Sequence, residues 1–246
     1  SRGLSVEALE LAFQTHGQIA AVVVVPNFQN PLGCVMPDEE KARLVALCEA
    51  HQVPLVEDDI YGALSDSDQP LTCCKAWDRS GNVIHCGSFH KTLAPGMRVG
   101  WMTGGRWQDR IRMLKHAQSR PNDALAQITI GEFMAGHAFD RHLVRLRRQL
   151  KEQRERTAET VAARFPPGTR LNMPGGGMLL WVEMPAGCSS RRVFEAALRE
   201  GIRVAPGLLF SNSERFDRFL RVSCGYPFSP QIEAALARLG EIVAAA

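Results

Sequence analysis

The sequence predicts an α/β protein with a mostly parallel β-sheet and flanking helices, followed by a smaller α+β domain. Short apolar runs at residues 20–25 and 54–57 lead into loop-forming or acidic residues, as expected of buried parallel strands. A helical segment separates the two runs, which together indicate a βαβ unit. After a long helix, strand and helix patterns alternate at shorter intervals, and this change of pattern indicates a second domain.

The large domain is predicted to span residues 1–140 and to contain four strands. Its strand patterns lie at residues 20–25, 54–57, 82–86 and 98–103, and its helix patterns lie near 5–14, 37–51, 111–115 and 124–135. The helix near residue 37 begins with Asp38, Glu39 and Glu40, which favour the positive end of a helix dipole. The crossover between the first two strands should be right-handed. We expect at least one edge strand to be exposed or paired with another chain.

A connecting helix over residues 141–165, which begins near residue 139, leads to the small domain at residues 166–246. Pro166, Pro167 and Gly168 end this helix. The small domain has strand patterns at residues 178–183, 202–204 and 219–223, and helix patterns at 191–200 and from 230 onward. Ser229 and Pro230 are the residue types of an N-cap and a first helical turn.

The composition, with 45% hydrophobic residues, is that of a globular protein, and the formal charge of +3 is too small to indicate nucleic-acid binding by itself. We interpret the basic stretch of the long helix as the face of an amphipathic helix that is solvated or pairs with Glu152, Glu155 and Glu159, rather than as a DNA contact. Its cations are Arg145, Arg147, Arg148, Lys151 and Arg154. His137 and His142, at the start of this helix, are interpreted as surface residues.

Seven cysteines without a C-x-x-C pair predict free thiols in a reducing cytoplasm, and the histidine spacing indicates no metal site. No apolar stretch approaches the roughly 20 residues that cross a bilayer. We therefore expect a cytoplasmic protein without a membrane partner.

The segment around Lys91 is the most informative part of the chain for function. Lys91 lies three residues after Ser88 and seven before Arg98. A lysine amine condenses with an aldehyde when a nearby cation or burial keeps part of it unprotonated, and a guanidinium matches the geometry of phosphate. The segment could therefore hold a ligand that carries both an aldehyde and a phosphate, such as pyridoxal 5'-phosphate. Taken alone, however, a Ser-x-x-Lys pattern more often contains an ordinary exposed lysine that follows a strand.

Two further segments place polar side chains after predicted strands. Asn30 follows the first strand in an Asn-Pro-x-Gly loop, and Asp58 and Tyr61 follow the second strand. Because open α/β sheets bind ligands at the carboxyl ends of their strands, Asp58 and Tyr61 could reach one ring there. A carboxylate beside a pyridine nitrogen keeps that nitrogen protonated. Asp59 should point the other way, and the simpler interpretations are a turn for Asn30 and a solvated strand end for the acids.

In the order Asn30, Asp58, Tyr61, Ser88, Lys91 and Arg98, the chain resembles the class I/II aminotransferases of PLP fold type I. The resemblance implies that Asn30 and Tyr61 contact the ring oxygen of the cofactor, Asp58 its nitrogen, and Ser88 and Arg98 its phosphate. It also implies that Lys91 bonds to the cofactor and is the catalytic residue. Arg221 matches the family arginine that binds the substrate α-carboxylate. Without the family resemblance, the simpler interpretation is that Arg221 forms an ordinary ion pair on the surface.

The closer resemblance is to the C-terminal domain of MocR-type regulators of the GntR family. It is carried by the segments around Asn27–Pro31 and Glu57–Gly62, the Arg-rich helix, Gly175–Glu183 and Ala205–Phe210. It implies a domain that senses pyridoxal 5'-phosphate or an amino-acid effector, forms a homodimer and meets DNA only through an upstream domain. The alternative is a stand-alone aminotransferase of the aminoadipate, kynurenine or aromatic type, and the sequence leaves open whether the chain is an enzyme.

The chain also departs from the family pattern. The family has a glycine-glutamine phosphate loop and a ring-stacking aromatic residue before the strand at residue 20, and neither is found here. We therefore expect a fragment that binds the cofactor weakly or not at all, since a helix N-terminus is a substantial part of a phosphate site. His90 stands where the relatives commonly have serine, and we interpret it as a packing or polar-contact residue rather than a proton shuttle.

Overall fold

The computed structural model describes residues 3–246, which form two compact units. The first unit contains the described residues up to Gln29 together with Cys34–Leu146, and the second contains Asn30–Gly33 and Arg147–Ala246. The division falls within the long helix, and a short loop from the first part of the chain belongs to the second unit. In the described part of the chain, no helix has the length and hydropathy needed to cross a membrane.

The first unit is built on a four-stranded sheet, as the sequence predicts. Its strands are β1 (Val22–Val24), β2 (Leu55–Asp58), β3 (Val83–Ser88) and β4 (Gly100–Thr103), in this order across the sheet. The strands β1, β2 and β3 are parallel, and β4 runs antiparallel to β3. Its helices are α1 (Val6–Thr15), α2 (Asp38–Ala50), α3 (Gln108–Ser119), α4 (Ala124–Met134) and the beginning of α5 (Ala138–Arg164).

The core of the first unit lies between the sheet and the helices α1 and α2. Alternate strand residues such as Val22 and Val24 point into it and are buried, whereas Val23 between them is exposed. Leu44 and Cys48, one helical turn apart on α2, are fully buried in the same cluster. The strand β4 is exposed along its whole length, so the predicted exposed edge strand is found here.

The second unit is an α+β domain, again as predicted. Its antiparallel sheet has the order β5 (Arg170–Leu171), β6 (Leu179–Glu183), β8 (Phe219–Ser223) and β7 (Ala205–Pro206). The helices α6 (Ser190–Arg199), α7 (Pro230–Ala244) and the remainder of α5 complete it. Ser229 caps α7, because its hydroxyl accepts a hydrogen bond from the Ile232 amide. The sequence analysis did not predict β5, and it predicted a strand at residues 202–204 instead of β7. Both strands have two residues, which is too short for a detectable periodicity.

The prediction that the basic stretch of α5 is a solvated face is wrong for Arg154. Arg154 is 1% exposed, and its guanidinium donates a hydrogen bond of 2.8 Å to the Gly177 carbonyl. Leu150 lies four residues before Arg154 and Val161 seven residues after it, so all three share the buried face of the helix. Arg145, Arg148 and Lys151 are exposed, in agreement with the prediction.

A buried carboxylate fixes the start of the strand that leads to Lys91. Asp78 accepts hydrogen bonds from the Asn82 and Val83 amides, at 2.9 and 3.0 Å, and from the Lys75 ammonium, at 2.7 Å. Its side chain is fully buried. Burial alone would raise the pKa of Asp78, but the lysine and the two amides outweigh it and lower the pKa below the ordinary aspartate value. The ionised form of Asp78 therefore stabilises the fold.

We expect Asp78→Ala to lower the free energy of unfolding by at least about 2 kcal/mol, because it leaves two amides and an ammonium without their acceptor. A carboxyl group with a lowered folded pKa stabilises the protein above the pKa of the unfolded chain and loses this contribution as the pH falls through its folded pKa. The stability difference between the wild type and Asp78→Asn should thus be constant near neutral pH and shrink below about pH 4. Denaturant titrations across this range measure it, and a difference that grows in acid would contradict the assignment.

Candidate functional site

The parallel pairing of β2 and β3 brings two predicted site residues to one edge of the sheet. Asp58 is the last residue of β2 and pairs in register with Cys86 of β3. Ser88 is the last residue of β3, two positions farther along. Since parallel strands end at the same edge, the carboxylate and the hydroxyl lie at the carboxyl end of the sheet. This is where the sequence placed a ligand site.

The two neighbouring carboxylates at the end of β2 have different surroundings. Asp58 is half-buried, and burial raises its pKa although the Ile60 amide donates a hydrogen bond to it. No cation among the described residues forms a salt bridge with Asp58, so its charge could be matched by a cationic ligand nitrogen. Asp59 accepts a hydrogen bond of 3.0 Å from the buried Asn27 amide, and burial is the main cause that raises its pKa to about 6. The Asp59 carboxylate therefore has a hydrogen-bond partner within the protein and is less suited to bind a ligand.

Tyr61 lies at the same end of β2, three residues beyond Asp58. Its side chain is 6% exposed, and its carbonyl accepts a hydrogen bond from the Leu64 amide in the short 3₁₀ helix Gly62–Leu64. Gly62 leaves no room for a side chain, because a Cβ there would lie 2.5 Å from the Asp59 carboxylate. The 3₁₀ helix therefore begins directly after the segment that carries the carboxylate of Asp58 and the phenol of Tyr61.

Lys91 lies in a loop that leaves β3 and returns as β4. The loop is closed by a hydrogen bond from the Phe89 amide to the Val99 carbonyl, and the Leu93 amide donates to the Phe89 carbonyl. The Ser88 hydroxyl accepts a hydrogen bond of 3.1 Å from the His90 amide. Lys91 itself is half-buried within this turn. The backbone at Lys91 is consequently held in an ordered turn by these hydrogen bonds.

Arg98 closes the same loop in a left-handed backbone conformation, with φ of 53°. Its guanidinium donates a hydrogen bond of 3.0 Å to Nδ1 of His90, and its carbonyl accepts one of 3.4 Å from the Asn122 amide. The side chain of Arg98 is exposed and could still bind an anion through its other N–H groups. The contact with Arg98 agrees with the prediction that His90 is a polar-contact residue.

Sequence reasoning missed a residue that supports the lysine loop. His142 was predicted to lie on the surface, but its Nε2 donates a hydrogen bond of 2.9 Å to the carbonyl of Thr92, next to Lys91. Phe139, one turn earlier on α5, contacts the Phe89 ring edge-on at 6.1 Å. Phe139, His142 and Leu146 recur at helical spacing, and this periodicity was the available signal. The first turns of α5 therefore hold both ends of the segment that contains Lys91.

The second unit brings Asn30 and Arg221 together. Arg221 lies on β8 and donates a hydrogen bond of 2.9 Å from its NH1 to the Asn30 side-chain oxygen. The Phe210 ring lies 5.2 Å from the guanidinium carbon and fixes its plane. The buried Nε of Arg221 has no hydrogen-bond partner among the described residues. An arginine with an unsatisfied buried N–H in this arrangement is suited to a carboxylate ligand.

The predicted site residues therefore form two groups, each described within its own unit. Asp58, Tyr61, Ser88, Lys91 and Arg98 belong to the first unit, and Asn30 and Arg221 belong to the second. The donor set of the first group is a carboxylate, a phenol, a hydroxyl, an amine and a guanidinium. These groups match the ring nitrogen, ring oxygen, phosphate and aldehyde of a pyridoxal phosphate, and the carboxylate without a salt-bridge cation agrees with such a ligand. Their individual roles stay predictions.

The curated relatives most similar to the chain include two regulators of Escherichia coli. The HTH-type transcriptional regulators YdcR and YjiR are 34% and 36% identical over 241 residues. In both cases the match covers 98% of this chain and 51% of the relative. The chain thus spans about half the length of the curated relatives that it matches.

Among solved structures, the chain is similar to LysN, an α-aminoadipate aminotransferase from Thermus thermophilus. That structure was determined with N-(5'-phosphopyridoxyl)-L-leucine, and it is 27% identical with a TM-score of 0.91. The match covers 99% of this chain and 63% of LysN. The predicted fold, that of the PLP fold type I enzymes, is confirmed.

One family model covers almost the whole chain. The model for aminotransferase class I and II matches residues 1–239. The resemblance that the sequence motifs indicated is therefore confirmed, and the matched range includes the loop of Asn30 and the strand of Arg221. This chain belongs to the class I and II aminotransferase family.

Proposed function

We propose that this chain is the aminotransferase-like part of a GntR/MocR-type transcriptional regulator. The observation that carries the proposal is the identity of 34% and 36% to two HTH-type regulators over 98% of the chain, above the 27% to LysN. In such a protein DNA would be bound by a separate upstream domain, and this part would sense a ligand and form a homodimer. The modest net charge of +3 agrees with a part that does not itself bind DNA.

Pyridoxal 5'-phosphate is the proposed cofactor, and five residues of the first unit would hold it. When bound, it supplies an aldehyde for an amine and an electron-withdrawing ring. Asp58 would hold the ring nitrogen in its protonated form, and Tyr61 would donate to the ring oxygen. Ser88 and Arg98 would bind the phosphate, and the ordered turn at Lys91 presents the amine.

Arg221 would bind the carboxylate of an amino-acid effector or substrate. Its planar fork suits a carboxylate, Asn30 occupies one of its N–H groups, and Phe210 restricts its rotation. We expect Arg221→Lys to weaken the binding of amino acids by about 10- to 100-fold, because a lysine keeps the charge but loses the bidentate geometry. Calorimetric titration of the full-length protein measures the dissociation constant. The control is Arg203→Lys, an exposed arginine of the same unit, and equal effects of the two changes would contradict the role of Arg221.

The alternative function is that of a stand-alone aminotransferase acting on amino acids and 2-oxo acids. It is favoured by the TM-score of 0.91 to LysN and by the presence of Lys91, which could move the α-proton of a substrate. In that case Asp58, Tyr61 and Arg221 would have the same binding roles. The two functions differ in the fate of the bound amino acid, which an aminotransferase converts to a 2-oxo acid and a regulator only senses.

Two measurements on the full-length protein distinguish the functions. In the first, the protein is incubated with pyridoxal 5'-phosphate and a panel of amino acids, and 2-oxo acids are quantified by mass spectrometry. In the second, its binding to the DNA upstream of its own gene is measured with and without these ligands. A regulator should bind this DNA in a ligand-dependent way with little turnover. Sustained 2-oxo acid production without DNA binding would overturn the regulator and establish the alternative.

A further inference from the structure

A second polar cluster lies in the first unit, outside the candidate site. Glu57 on β2, His85 on β3 and Cys73 each offer one possible ligand atom, and these atoms all lie within 4.8 Å of one another. Glu57 is fully buried, His85 is 9% exposed and Cys73 is half-buried. The cluster is thus unlike an exposed group of acids, since it combines three donor types and is largely removed from water.

The strand geometry separates this cluster from the residues proposed to hold the cofactor. Glu57 and His85 are direct partners in the parallel register, as are the next residues, Asp58 and Cys86. Side chains alternate between the two faces of a sheet, so Glu57 and His85 share one face and Asp58 and Cys86 share the other. A ligand held by Glu57 and His85 would be a neighbour of the candidate site without being part of it.

The surrounding backbone orients the Glu57 carboxylate. The amides of Cys74 and Lys75, in the first turn of a short 3₁₀ helix Cys74–Trp77, both donate to it, and Nδ1 of His85 lies 2.8 Å from its second oxygen. Cys73 is the residue immediately before that helix, and the Ala76 amide donates to its carbonyl. The segment that carries the thiol is therefore fixed by the same hydrogen bonds that fix the carboxylate. The Trp101 ring lies 5.1 Å from the imidazole on another side.

We propose that Glu57, Cys73 and His85 bind a divalent cation of the Zn²⁺ class. A thiolate, an imidazole and a carboxylate are the ligand types that zinc takes, whereas Mg²⁺ and Ca²⁺ take oxygen ligands. Burial lowers the pKa of His85, but its contacts with Cys73 and Glu57 outweigh burial and raise this pKa to about 10, so a bound ion would take the place of an imidazolium proton beside Glu57. The ion would then neutralise the thiolate and the carboxylate in a poorly solvated place. Cys73 and His85 would bind after the thiol proton and the imidazolium proton that His85 shares with Glu57 pass to solvent, and water would complete a tetrahedral set of four ligands. The sequence spacing could not indicate this site, because its ligands come from three separate segments.

The ion would link β2, β3 and the segment before the 3₁₀ helix. These are the two strands whose last residues, Asp58 and Ser88, are predicted to hold the cofactor. The inference does not depend on the proposed function, since it uses only side chains on the other face of the sheet. Its test can therefore succeed or fail whether or not the protein binds pyridoxal 5'-phosphate.

The test is a metal titration of the purified protein in its thiol-reduced form. After removal of bound metals with a chelator, Co²⁺ is added as a spectroscopic substitute for Zn²⁺, and Zn²⁺ is then used to displace it. We expect one equivalent per chain, with the near-ultraviolet charge-transfer band of a cobalt-thiolate bond and the visible bands of a tetrahedral site. Zn²⁺ should raise the melting temperature of the protein, and Mg²⁺ should not.

Cys73→Ser should remove the cobalt-thiolate band and weaken Zn²⁺ binding by about 100-fold or more, since losing a group that only orients a ligand already costs about 10- to 100-fold. The matched control is Cys188→Ser, which removes a half-buried cysteine of the second unit and should leave the titration unchanged. A circular-dichroism melt without metal shows that both variants are folded. Absence of stoichiometric binding by the wild type, or an unchanged thiolate band in Cys73→Ser, would overturn the proposal.

Discussion

Replacement of Lys91 by alanine should abolish covalent attachment of pyridoxal 5'-phosphate to the full-length protein. Lys91 is the amine that the turn after β3 presents beside Ser88, and a positioned amine bonds to an aldehyde far more readily than an exposed lysine does. Borohydride reduction fixes the bond, and peptide mass spectrometry then locates the modified residue. We expect the mass of one cofactor on the wild type, on the peptide that contains Lys91, and no such mass on the variant.

The control for this experiment is Lys151→Ala. Lys151 is exposed on α5 and, within residues 3–246, forms a salt bridge only with Glu155, at 4.0 Å, so its loss should leave labelling unchanged. Equal labelling of the wild type and Lys91→Ala would contradict the assignment of Lys91 as the residue that bonds to the cofactor. Retention of noncovalent cofactor by the variant would be consistent with it, because Asp58, Ser88 and Arg98 remain.

Gly207 is the position where the smallest substitution should do most damage, and it is the first residue of the 3₁₀ helix Gly207–Phe210 in the second unit. A Cβ at Gly207 would overlap the Phe216 carbonyl oxygen and lie 2.8 Å from that of Phe219. Both obstacles are backbone atoms beside β8, and they cannot move without shifting the strand. We expect Gly207→Ala to lower the free energy of unfolding by more than about 3 kcal/mol, as overpacking against backbone does in the most damaging substitutions.

The matched control is Gly175→Ala in the same unit, because a Cβ at Gly175 meets nothing within 4 Å. Its effect on stability should be within about 0.5 kcal/mol. Urea denaturation followed by tryptophan fluorescence measures both variants, since Trp181 packs against Phe210 of the 3₁₀ helix at 5.6 Å. The position of Arg221 should also change in Gly207→Ala, because Phe210 supports its guanidinium. A stability equal to that of the control would show that the backbone around Gly207 adapts.

The strands of the first unit and the sheet edge that carries its candidate site can be predicted from the sequence for one physical reason. Apolar runs that end in polar residues identify both the buried strands and the edge at which ligands bind, so Asp58 and Ser88 could be placed before any coordinates. The amine and guanidinium chemistry of one segment indicated Lys91 and Arg98, and the family pattern supplied Arg221. The structure then showed Asp58 and Ser88 at one sheet edge and Asn30 beside Arg221.

Other features depend on contacts that local sequence does not encode. Arg154 and His142 were assigned to solvent because charged and polar residues on a helix usually face water, yet each meets a backbone carbonyl from a distant segment. The cluster of Glu57, Cys73 and His85 is likewise assembled from separate segments by the parallel register of two strands. In each case the partner is set by tertiary packing. The helical spacing of Phe139, His142 and Leu146 indicates a packed face of α5 but does not identify the partner.

The hydrogen bond from Arg221 to Asn30 joins residues that are 191 positions apart in the sequence but belong to one compact unit. The same tetrapeptide, Asn30–Gly33, also supplies the Leu32 carbonyl that the Asn172 amide binds, and Gly33 approaches the Pro174 ring. The unit therefore cannot be excised as one contiguous length of polypeptide. A protein cut to residues 147–246 would leave Arg221 and Asn172 without these acceptors, and restoring them would require supplying the tetrapeptide in trans or grafting it through a permuted chain.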